Sequence, residues 1–254
     1  METVRSADGT EIAYERDGDG PPLVIVTGAF GDRHTNRALA DLLAPHRTTY
    51  RYDRRGRTDS GDTPPYAVDR EIEDLAAVVG AAGPGAAVYG HSSGAALALL
   101  AAARGVAMTA LTVHEPPYRV DGRGNAELEP VVSAALAAGD RAGAVKRFLA
   151  GAVGLPPEVV ADAETWPDWE GMCRIAHTLP YDLAVGGDGT VPAELARITV
   201  PTLVLHGTES FDWIAAGMAK LVDTIPGATG QVLVGQDHGV DPAAVVPYLL
   251  ARPA

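Results

Sequence analysis

Short, continuous runs of apolar and β-branched residues recur along the chain, and segments with helical periodicity separate them. The first run, Leu23–Val26, lies between Pro22 and Gly28 and is typical of a strand buried on both faces. Strands of this kind that alternate with helices predict an α/β fold, with a mostly parallel, doubly wound sheet between helices. The other predicted strands are Thr48–Tyr52, Ala86–Tyr89, Ala110–Val113, Thr202–Leu205 and Gln231–Val234, and the predicted helices are Asn36–Leu43, Asp69–Ala82, Ser93–Arg104, Asp212–Ile225 and Pro242–Leu250.

Two regions depart from this alternation. Residues 1–20 are predicted to form a hairpin, because two short strand patterns flank the turn signal Asp8-Gly9. The long interval from Val113 to Thr202 lacks a strand pattern, and an insertion at the end of a strand lies over the crevice where open α/β sheets bind ligands. We therefore expect residues 116–197 to form a helical cap inserted after strand 6, and residues 1–115 and 198–254 to form the core. The predicted cap helices are Pro130–Ala138, Arg141–Val153, Pro157–Glu164 and Asp168–His177.

Composition and charge exclude several classes of protein. The chain has 20 Lys+Arg and 33 Asp+Glu, a formal net charge of −13 that repels phosphate backbones, so no nucleic-acid partner is expected. The single cysteine, Cys173, allows neither an intramolecular disulfide nor a multi-cysteine zinc site. The longest apolar stretch, Gly94–Ala103, is about half of what a membrane span needs, and the N-terminus has no signal-peptide pattern. A cytoplasmic protein without a membrane partner is expected.

The sequence Gly-His-Ser-Ser-Gly at residues 90–94 is the strongest chemical signal in the chain. It follows a predicted strand and opens an alanine-rich predicted helix, which is the context of a G-x-S-x-G nucleophile elbow. In such a turn Ser92 is held in a strained, exposed position beside the free N–H groups of the helix N-terminus. The pattern predicts that Ser92 is a nucleophile, and the alternative is a serine that only caps the helix.

A nucleophilic serine needs a base, and His238 is the favoured candidate among the seven histidines. It lies in a loop between the last predicted strand and the last predicted helix, at the same edge of the sheet as Ser92. The alternative for His238 is a surface loop residue. The other histidines are interpreted as a packing residue that points away from Ser92 (His91), pocket-lining or hydrogen-bonded core residues (His114, His206), a cap residue facing the pocket (His177) and peripheral residues (His34, His46).

The order of strand, serine elbow, cap, strand and histidine loop resembles the α/β-hydrolase superfamily over nearly the whole chain. Three further segments are similar to motifs of that family: residues 26–31 (VTGAFG) to its His-Gly loop, with threonine for the usual histidine, residues 52–61 (YDRRGRTDSG) to its D-x-R-G-x-G-x-S segment, and residues 201–207 (PTLVLHG) to its P-x-L-v-x-x-G strand. The resemblance implies the α/β-hydrolase fold. It also implies an oxyanion hole formed by the backbone N–H groups of Ala29 and Ser93.

The arginine-rich run Arg51–Arg57 is open to three interpretations. The resemblance implies a structural loop that braces the oxyanion strand, and the simpler alternative is a solvated charged loop. A phosphate site has little support, because the interspersed Asp53 and Asp59 neutralise much of the positive charge.

The acid that orients the histidine is the uncertain member of the predicted triad. The family usually keeps it after the strand Thr202–Leu205, but Ser210 occupies that position here. We favour Glu115 at the end of the preceding strand, as in some haloalkane dehalogenases of this superfamily, because two prolines follow it and present it rigidly. Asp212 and then Glu209 are the alternatives, each requiring a small shift of the loop, and a salt-bridged structural role for Glu115 also stays open.

The resulting interpretation is a serine hydrolase that needs no cofactor or metal and acts on an ester, thioester or related acyl compound. Serine at the elbow argues against dehalogenase and epoxide-hydrolase chemistry, which in this superfamily uses aspartate there. The alternatives are a lyase, cyclase or C–C bond hydrolase using the same pocket, and a non-catalytic ligand-binding relative. A small-molecule substrate with a hydrophobic portion is expected from aromatic and apolar residues assigned to the pocket or the cap core: Phe148, Trp166, Trp169, Met172 and Trp213.

Overall fold

The computed structural model describes residues 1–121 and 126–251. Within them, eight strands form a single sheet. The strands are β1 (Glu2–Arg5), β2 (Glu11–Asp17), β3 (Pro22–Val26), β4 (Thr48–Tyr52), β5 (Ala87–His91), β6 (Leu111–His114), β7 (Thr202–Gly207) and β8 (Thr229–Leu233). Their order across the sheet is β1-β2-β4-β3-β5-β6-β7-β8.

The sheet is mostly parallel, as the sequence predicts. The predicted N-terminal hairpin is present, because β1 pairs antiparallel with β2, and β2 also pairs antiparallel with β4. The pairs from β4 through β3, β5, β6 and β7 to β8 are all parallel. The C-terminal ends of the central strands therefore meet at one edge, and the residues that follow them come close together.

Helices cover both faces of the sheet, and the side-chain alternation of β3 shows why. Val24 and Val26 pack into an apolar cluster with α2, α3 and α9, whereas Leu23 and Ile25 pack into a second cluster with α1 and α10. A strand buried on both faces reads as an unbroken apolar run, which is the pattern that predicted it. These helices are α1 (Arg37–Leu43), α2 (Val68–Ala82), α3 (Ser93–Ala103), α9 (Ile214–Thr224) and α10 (Pro242–Leu250).

The segment between β6 and β7 (residues 115–201) is called here the inserted segment. Its described residues, 115–121 and 126–201, contain several helices and an apolar cluster of their own. It contains α4 (Leu128–Ala137), α5 (Arg141–Phe148), α6 (Pro157–Asp162), α7 (Trp169–Arg174) and α8 (Leu179–Gly186). The predicted helix Arg141–Val153 ends as a π-helical turn at Leu149–Val153, and 3-10 turns occupy Ala163–Thr165, Ala176–Thr178 and Ala193–Arg197.

The helix α8 is absent from the sequence prediction. It is short, and a proline at its second position resembles a break in the pattern, although proline is well tolerated in the first turn of a helix. In the part of the chain that the structure describes, no helix has the length and apolar character needed to cross a membrane.

Candidate active site

Ser92 lies in the tight turn between β5 and α3, with φ 54° and ψ −126°. A non-glycine residue in this region is strained, and such strain must be held by the surrounding structure. The two flanking glycines permit the turn. A Cβ on Gly94 would lie 2.3 Å from the carbonyl oxygen of Thr27, and one on Gly90 would lie 2.7 Å from the Cα of Ala95. The predicted strand–turn–helix context of Ser92 is therefore present.

The loop between β8 and α10 brings the imidazole of His238 to Ser92. The distance from Ser92 Oγ to His238 Nε2 is 3.2 Å, within hydrogen-bond reach. A second contact fixes the backbone of this loop, because Nε2 of His91 donates to the carbonyl oxygen of His238 at 2.8 Å. In this arrangement Nε2 of His238 is free to accept the proton of Ser92.

The carboxylate of Glu115 approaches His238 from the other side. Its Oε2 lies 2.6 Å from His238 Nδ1. Because β6 and β7 are neighbours, the carboxylate also accepts the N–H of Gly207 at 2.9 Å and the hydroxyl of Ser210 at 2.7 Å. Burial of Glu115 opposes ionisation, but the hydrogen bonds from His238, Gly207 and Ser210 outweigh it and lower its pKa to about 2.

The structure brings Ser92, His238 and Glu115 into one hydrogen-bonded chain and leaves the two alternative acids outside it. Glu209 and Asp212 are both exposed, and Glu209 accepts a hydrogen bond from Thr208. Ser210, which stands where the family usually has its acid, instead donates to Glu115. The sequence signal for this contact is the pairing of a serine at the expected acid position with a glutamate at the end of the adjacent strand.

Glu115 has φ 47°, a second strained residue beside the strained Ser92. Such a conformation costs on the order of 1–3 kcal/mol and persists only where its surroundings enforce it. The following Pro116 and Pro117 restrict the backbone, and the N–H of Glu115 donates to the carbonyl oxygen of Leu205 at 3.1 Å. The carboxylate is therefore held in one position.

The loop after β3 lies directly against Ser92. A Cβ on Gly28 would be 2.8 Å from the Cβ of Ser92, so only glycine allows this approach. Next along the loop is Ala29, and Phe30 then has φ 62°. Among the described residues, the backbone N–H groups of Ala29 and Ser93 have no hydrogen-bond acceptor. Two unpaired N–H groups beside a serine can stabilise an oxyanion.

The other histidines correct several expectations. His91 was expected to point away from Ser92, but it lines the cavity at Ser92, and its ring lies tilted against that of His238, with ring centroids 4.8 Å apart. His114 is fully buried, yet neither ring nitrogen has a hydrogen bond, so it is not the hydrogen-bonded core residue that was expected. Burial lowers the pKa of His91 to about 3 and that of His114 to about 4. His206 likewise has an Nδ1 without a hydrogen bond. His177 does not line the cavity at Ser92. His34 and His46 are exposed, as peripheral residues are.

A cavity of about 270 Å³ opens beside Ser92 and is lined mainly by apolar side chains. Phe148, Trp166 and Met172 from the inserted segment contribute to its wall, and Trp213 closes another side. Trp169 does not line this cavity and packs against the apolar cluster of the inserted segment. The guanidinium of Arg119 stacks on the ring of Trp213, 4.2 Å from its centroid, at the same cavity.

The arginine-rich run is buried, which overturns the solvated-loop interpretation. Arg51, Arg54, Arg55 and Arg57 are each at most 1% exposed. Each of them pairs with at least one carboxylate. A buried arginine without such a partner would cost several kcal/mol, so these pairings are required for the loop to fold inward. One partner is Asp182 of α8, which also lines the cavity and was missed by sequence reasoning because α8 itself was missed.

In residues 1–121 and 126–251, no group of three or more His, Cys, Asp or Glu side chains is arranged to hold a metal ion. The chemistry that the site can perform from its own residues is proton transfer from Ser92 to His238 and attack by the resulting alkoxide. The cavity would hold the reacting carbonyl between Ser92 and the two free N–H groups.

Comparisons with known proteins agree with this architecture. The model of the alpha/beta hydrolase family matches residues 23–247. An alpha/beta hydrolase from Sphaerobacter thermophilus DSM 20745 is similar, with 52% identity, coverage of 98% of each chain and a TM-score of 0.93. An esterase from Rhodococcus sp. ECU1013 (21% identity, 100% and 99% coverage, TM-score 0.72) and the enol-lactonase from Burkholderia xenovorans LB400 (18%, 98% and 99%, 0.77) share the fold. A search of curated proteins gave no match. The chain belongs to the alpha/beta hydrolase family.

Proposed function

We propose that this protein is a serine hydrolase that cleaves an ester, thioester or related acyl compound. The observation that carries the proposal is the continuous chain of contacts from Ser92 Oγ to His238 Nε2 at 3.2 Å and from His238 Nδ1 to Glu115 Oε2 at 2.6 Å. A nucleophile, a base and an acid that orients the base are the three parts of this chemistry, recognised by their geometry.

In the proposed reaction Ser92 attacks the carbonyl carbon while His238 takes its proton. The negative charge on the carbonyl oxygen is held by the N–H groups of Ala29 and Ser93, and Glu115 stabilises the imidazolium. His238 then protonates the leaving group, and water attacks the acyl-enzyme with His238 again as base. The low pKa of Glu115 keeps it ionised throughout, as its role requires.

We further propose that residues 116–197 act as a cap on a core formed by residues 1–115 and 198–254. This division is supported by the separate apolar cluster of the inserted segment and by its contribution of Phe148, Trp166 and Met172 to the cavity wall. The apolar wall favours a substrate whose acyl or alcohol part is hydrophobic. Esterase and lactonase activities in proteins of the same fold are compatible with this class of substrate.

The test is labelling by a fluorophosphonate, which reacts with activated serines. The wild type is expected to label at Ser92, Ser92→Ala to lose the label and His238→Ala to label at least about 100-fold more slowly, the usual range for loss of a general base. Absence of labelling in the wild type would overturn the proposal in favour of a ligand-binding role. Product analysis with short-chain and aryl esters then separates hydrolysis from lyase or C–C bond chemistry.

A further inference from the structure

Asp182 is a buried carboxylate at the junction between the inserted segment and the core. It lies in the first turn of α8 and is 3% exposed. Its Oδ1 accepts hydrogen bonds from Ser93 Oγ at 2.6 Å, Arg54 Nη1 at 2.7 Å and Arg57 Nη2 at 2.8 Å, and its Oδ2 also accepts from Arg57 at 2.8 Å.

These contacts reach both halves of the proposed oxyanion hole. One partner of Asp182 is the side chain of Ser93, whose backbone N–H is one donor. Another partner is Arg57, whose Nη1 donates to the carbonyl oxygens of Gly28 at 2.7 Å and Gly31 at 2.9 Å. These two carbonyls bracket Ala29, which carries the second donor. The carboxylate of Asp182 therefore links the segments that carry the N–H groups of Ala29 and Ser93, and it does so through side-chain hydrogen bonds.

The charges around Asp182 balance within the interior. Arg54 and Arg57 face two carboxylates, Asp182 and Glu71, and Nε of Arg54 donates to Glu71 at 2.6 Å. Tyr66 completes the set by donating its hydroxyl to Glu71 at 2.7 Å. Because all four charged residues are at most 3% exposed, bulk water screens these interactions little. Such a network holds its members in fixed positions, which is what electrostatic preorganisation requires.

We propose that Asp182 is a positioning residue that sets the geometry of the oxyanion hole from α8. This inference rests on the proposed function and deepens it. In consequence, the oxyanion hole is complete only when α8 is docked on the core. Transition-state stabilisation, rather than substrate binding, is the quantity that Asp182 controls.

A neighbouring ion pair provides a matched control. Arg55 and Asp74 are also fully buried and are joined by hydrogen bonds of 2.7 and 2.8 Å. The other partners of Arg55 are Asp8 and the carbonyl oxygen of Arg70, and none of them lies in the loop after β3. Asp74→Asn removes one buried charge, as Asp182→Asn does. Both variants are expected to lose stability, since each leaves a buried arginine underpaired. Only the change at Asp182 is expected to alter catalysis by the folded protein.

The experiment measures hydrolysis of para-nitrophenyl butyrate and inhibition by an alkyl trifluoromethyl ketone, per active site titrated with fluorophosphonate. The ketone adds to Ser92 Oγ and places a full oxyanion in the hole. For Asp182→Asn we expect kcat to fall by about 10- to 100-fold, below the roughly 100- to 1,000-fold cost of deleting an oxyanion donor. We expect KM to stay within about twofold and the Ki of the ketone to rise by the same factor as kcat falls. Asp74→Asn should keep both wild-type values.

A folded Asp182→Asn variant with wild-type kcat and ketone affinity overturns the inference, as does an equal loss in Asp74→Asn. In both cases a wild type that labels with fluorophosphonate leaves the proposed function standing, whereas a wild type that does not label overturns both. If Asp182→Asn does not fold, Ser93→Ala decides, because it removes the hydroxyl that donates to Asp182 and accepts from Arg54, and keeps the N–H. A fall in kcat of about 3- to 10-fold with a matching rise in ketone Ki supports the inference, and unchanged values overturn it.

Discussion

Glu115 and Asp182 are both buried carboxylates near Ser92, but their partners differ in kind. Glu115 follows a strand of the core and binds an imidazole, a hydroxyl and a backbone N–H. Asp182 lies on a helix of the inserted segment and binds two guanidinium groups and the hydroxyl of Ser93. One carboxylate therefore faces an imidazole, which exchanges a proton in the proposed reaction, and the other faces guanidinium groups, which stay charged.

The comparison shows two uses of a buried carboxylate: one has a partner that gains and loses a proton during the proposed reaction, and the other has partners whose charge does not change. In the proposed reaction, Glu115 stabilises the imidazolium of His238 when that cation forms, which is a contribution made to the transition state. Asp182 meets the same positive charge before, during and after the reaction, so it contributes by holding positions. Variants at Glu115 and Asp182 should accordingly differ in how much kcat falls and in how that loss depends on pH.

The largest effect is expected from Glu115→Gln. The amide keeps the shape of the side chain but loses the charge that stabilises the imidazolium and selects its tautomer, so kcat should fall by about 1,000- to 10,000-fold. Steady-state hydrolysis of para-nitrophenyl butyrate measures it. Asp212→Asn and Glu209→Gln, at the exposed alternatives, serve as controls and should stay within about threefold of wild type. A larger loss in Asp212→Asn than in Glu115→Gln would reassign the acid.

A smaller effect is expected on stability as pH falls. Two buried histidines, His91 and His114, lie next to His238 and Glu115. Burial lowers their pKa values from 6.5 to about 3 and about 4, respectively. Below pH 6.5 the unfolded chain takes up protons that the folded chain does not, so stability is lost as pH falls. Together the two histidines should contribute roughly 2 to 3 kcal/mol per pH unit to the slope between pH 5.5 and 4, since each contributes at most about 1.4.

Urea unfolding at several pH values measures this slope. His114→Leu removes one of these two histidines and should reduce the slope by about 1 kcal/mol per pH unit. The carboxylate of Glu115, with its pKa lowered from 4.5 to about 2, adds a loss only below pH 4.5. The same slope in His114→Leu as in the wild type would mean that His114 is not kept neutral by burial.

The smallest effect is expected from Ser210→Ala. This change removes one of the three hydrogen bonds to the Glu115 carboxylate, the 2.7 Å contact from the serine hydroxyl. Stability should fall by about 1 kcal/mol and kcat by about 3- to 10-fold, because the remaining donors still hold the carboxylate. Thermal unfolding and steady-state kinetics check it, with Glu209→Gln as the neighbouring control. A loss as large as in Glu115→Gln would show that Ser210 has a larger role than holding the acid.

Sequence patterns predicted the parts of the fold in which local signals are strong. The strand β3 is the apolar run Leu23–Val26 extended by one residue, Pro22, and the glycines around Ser92 mark positions where a Cβ would clash. Boundaries were less accurate in the inserted segment, where helices are short and are stabilised mainly by packing on one another. The helix α8 was missed there, and with it Asp182.

For the site, sequence order indicated which residues to bring together but not which contacts would form. Ser92, His238 and Glu115 lie after three different strands, and the alternatives to Glu115 stood only a few residues from Ser210 in the neighbouring loop. The exposure of Glu209 and Asp212 follows from how that loop packs, and no local pattern encodes it. The arginines show the same limit of sequence analysis. A run of charged residues has the same pattern whether it lies in solvent or is buried against carboxylates.

The sequence by itself determined the α/β fold, the strained elbow and the chemical types at its site, because periodicity, glycine placement and residue chemistry are local properties. Tertiary structure alone decided which acid reaches His238, which N–H groups stay unpaired and which carboxylate enters the arginine cluster. These depend on distances between segments remote in the chain: 123 residues separate Glu115 from His238, and 125 separate Arg57 from Asp182. Burial then sets the strength of each contact, since the same charges are weak partners in water and strong ones in the interior.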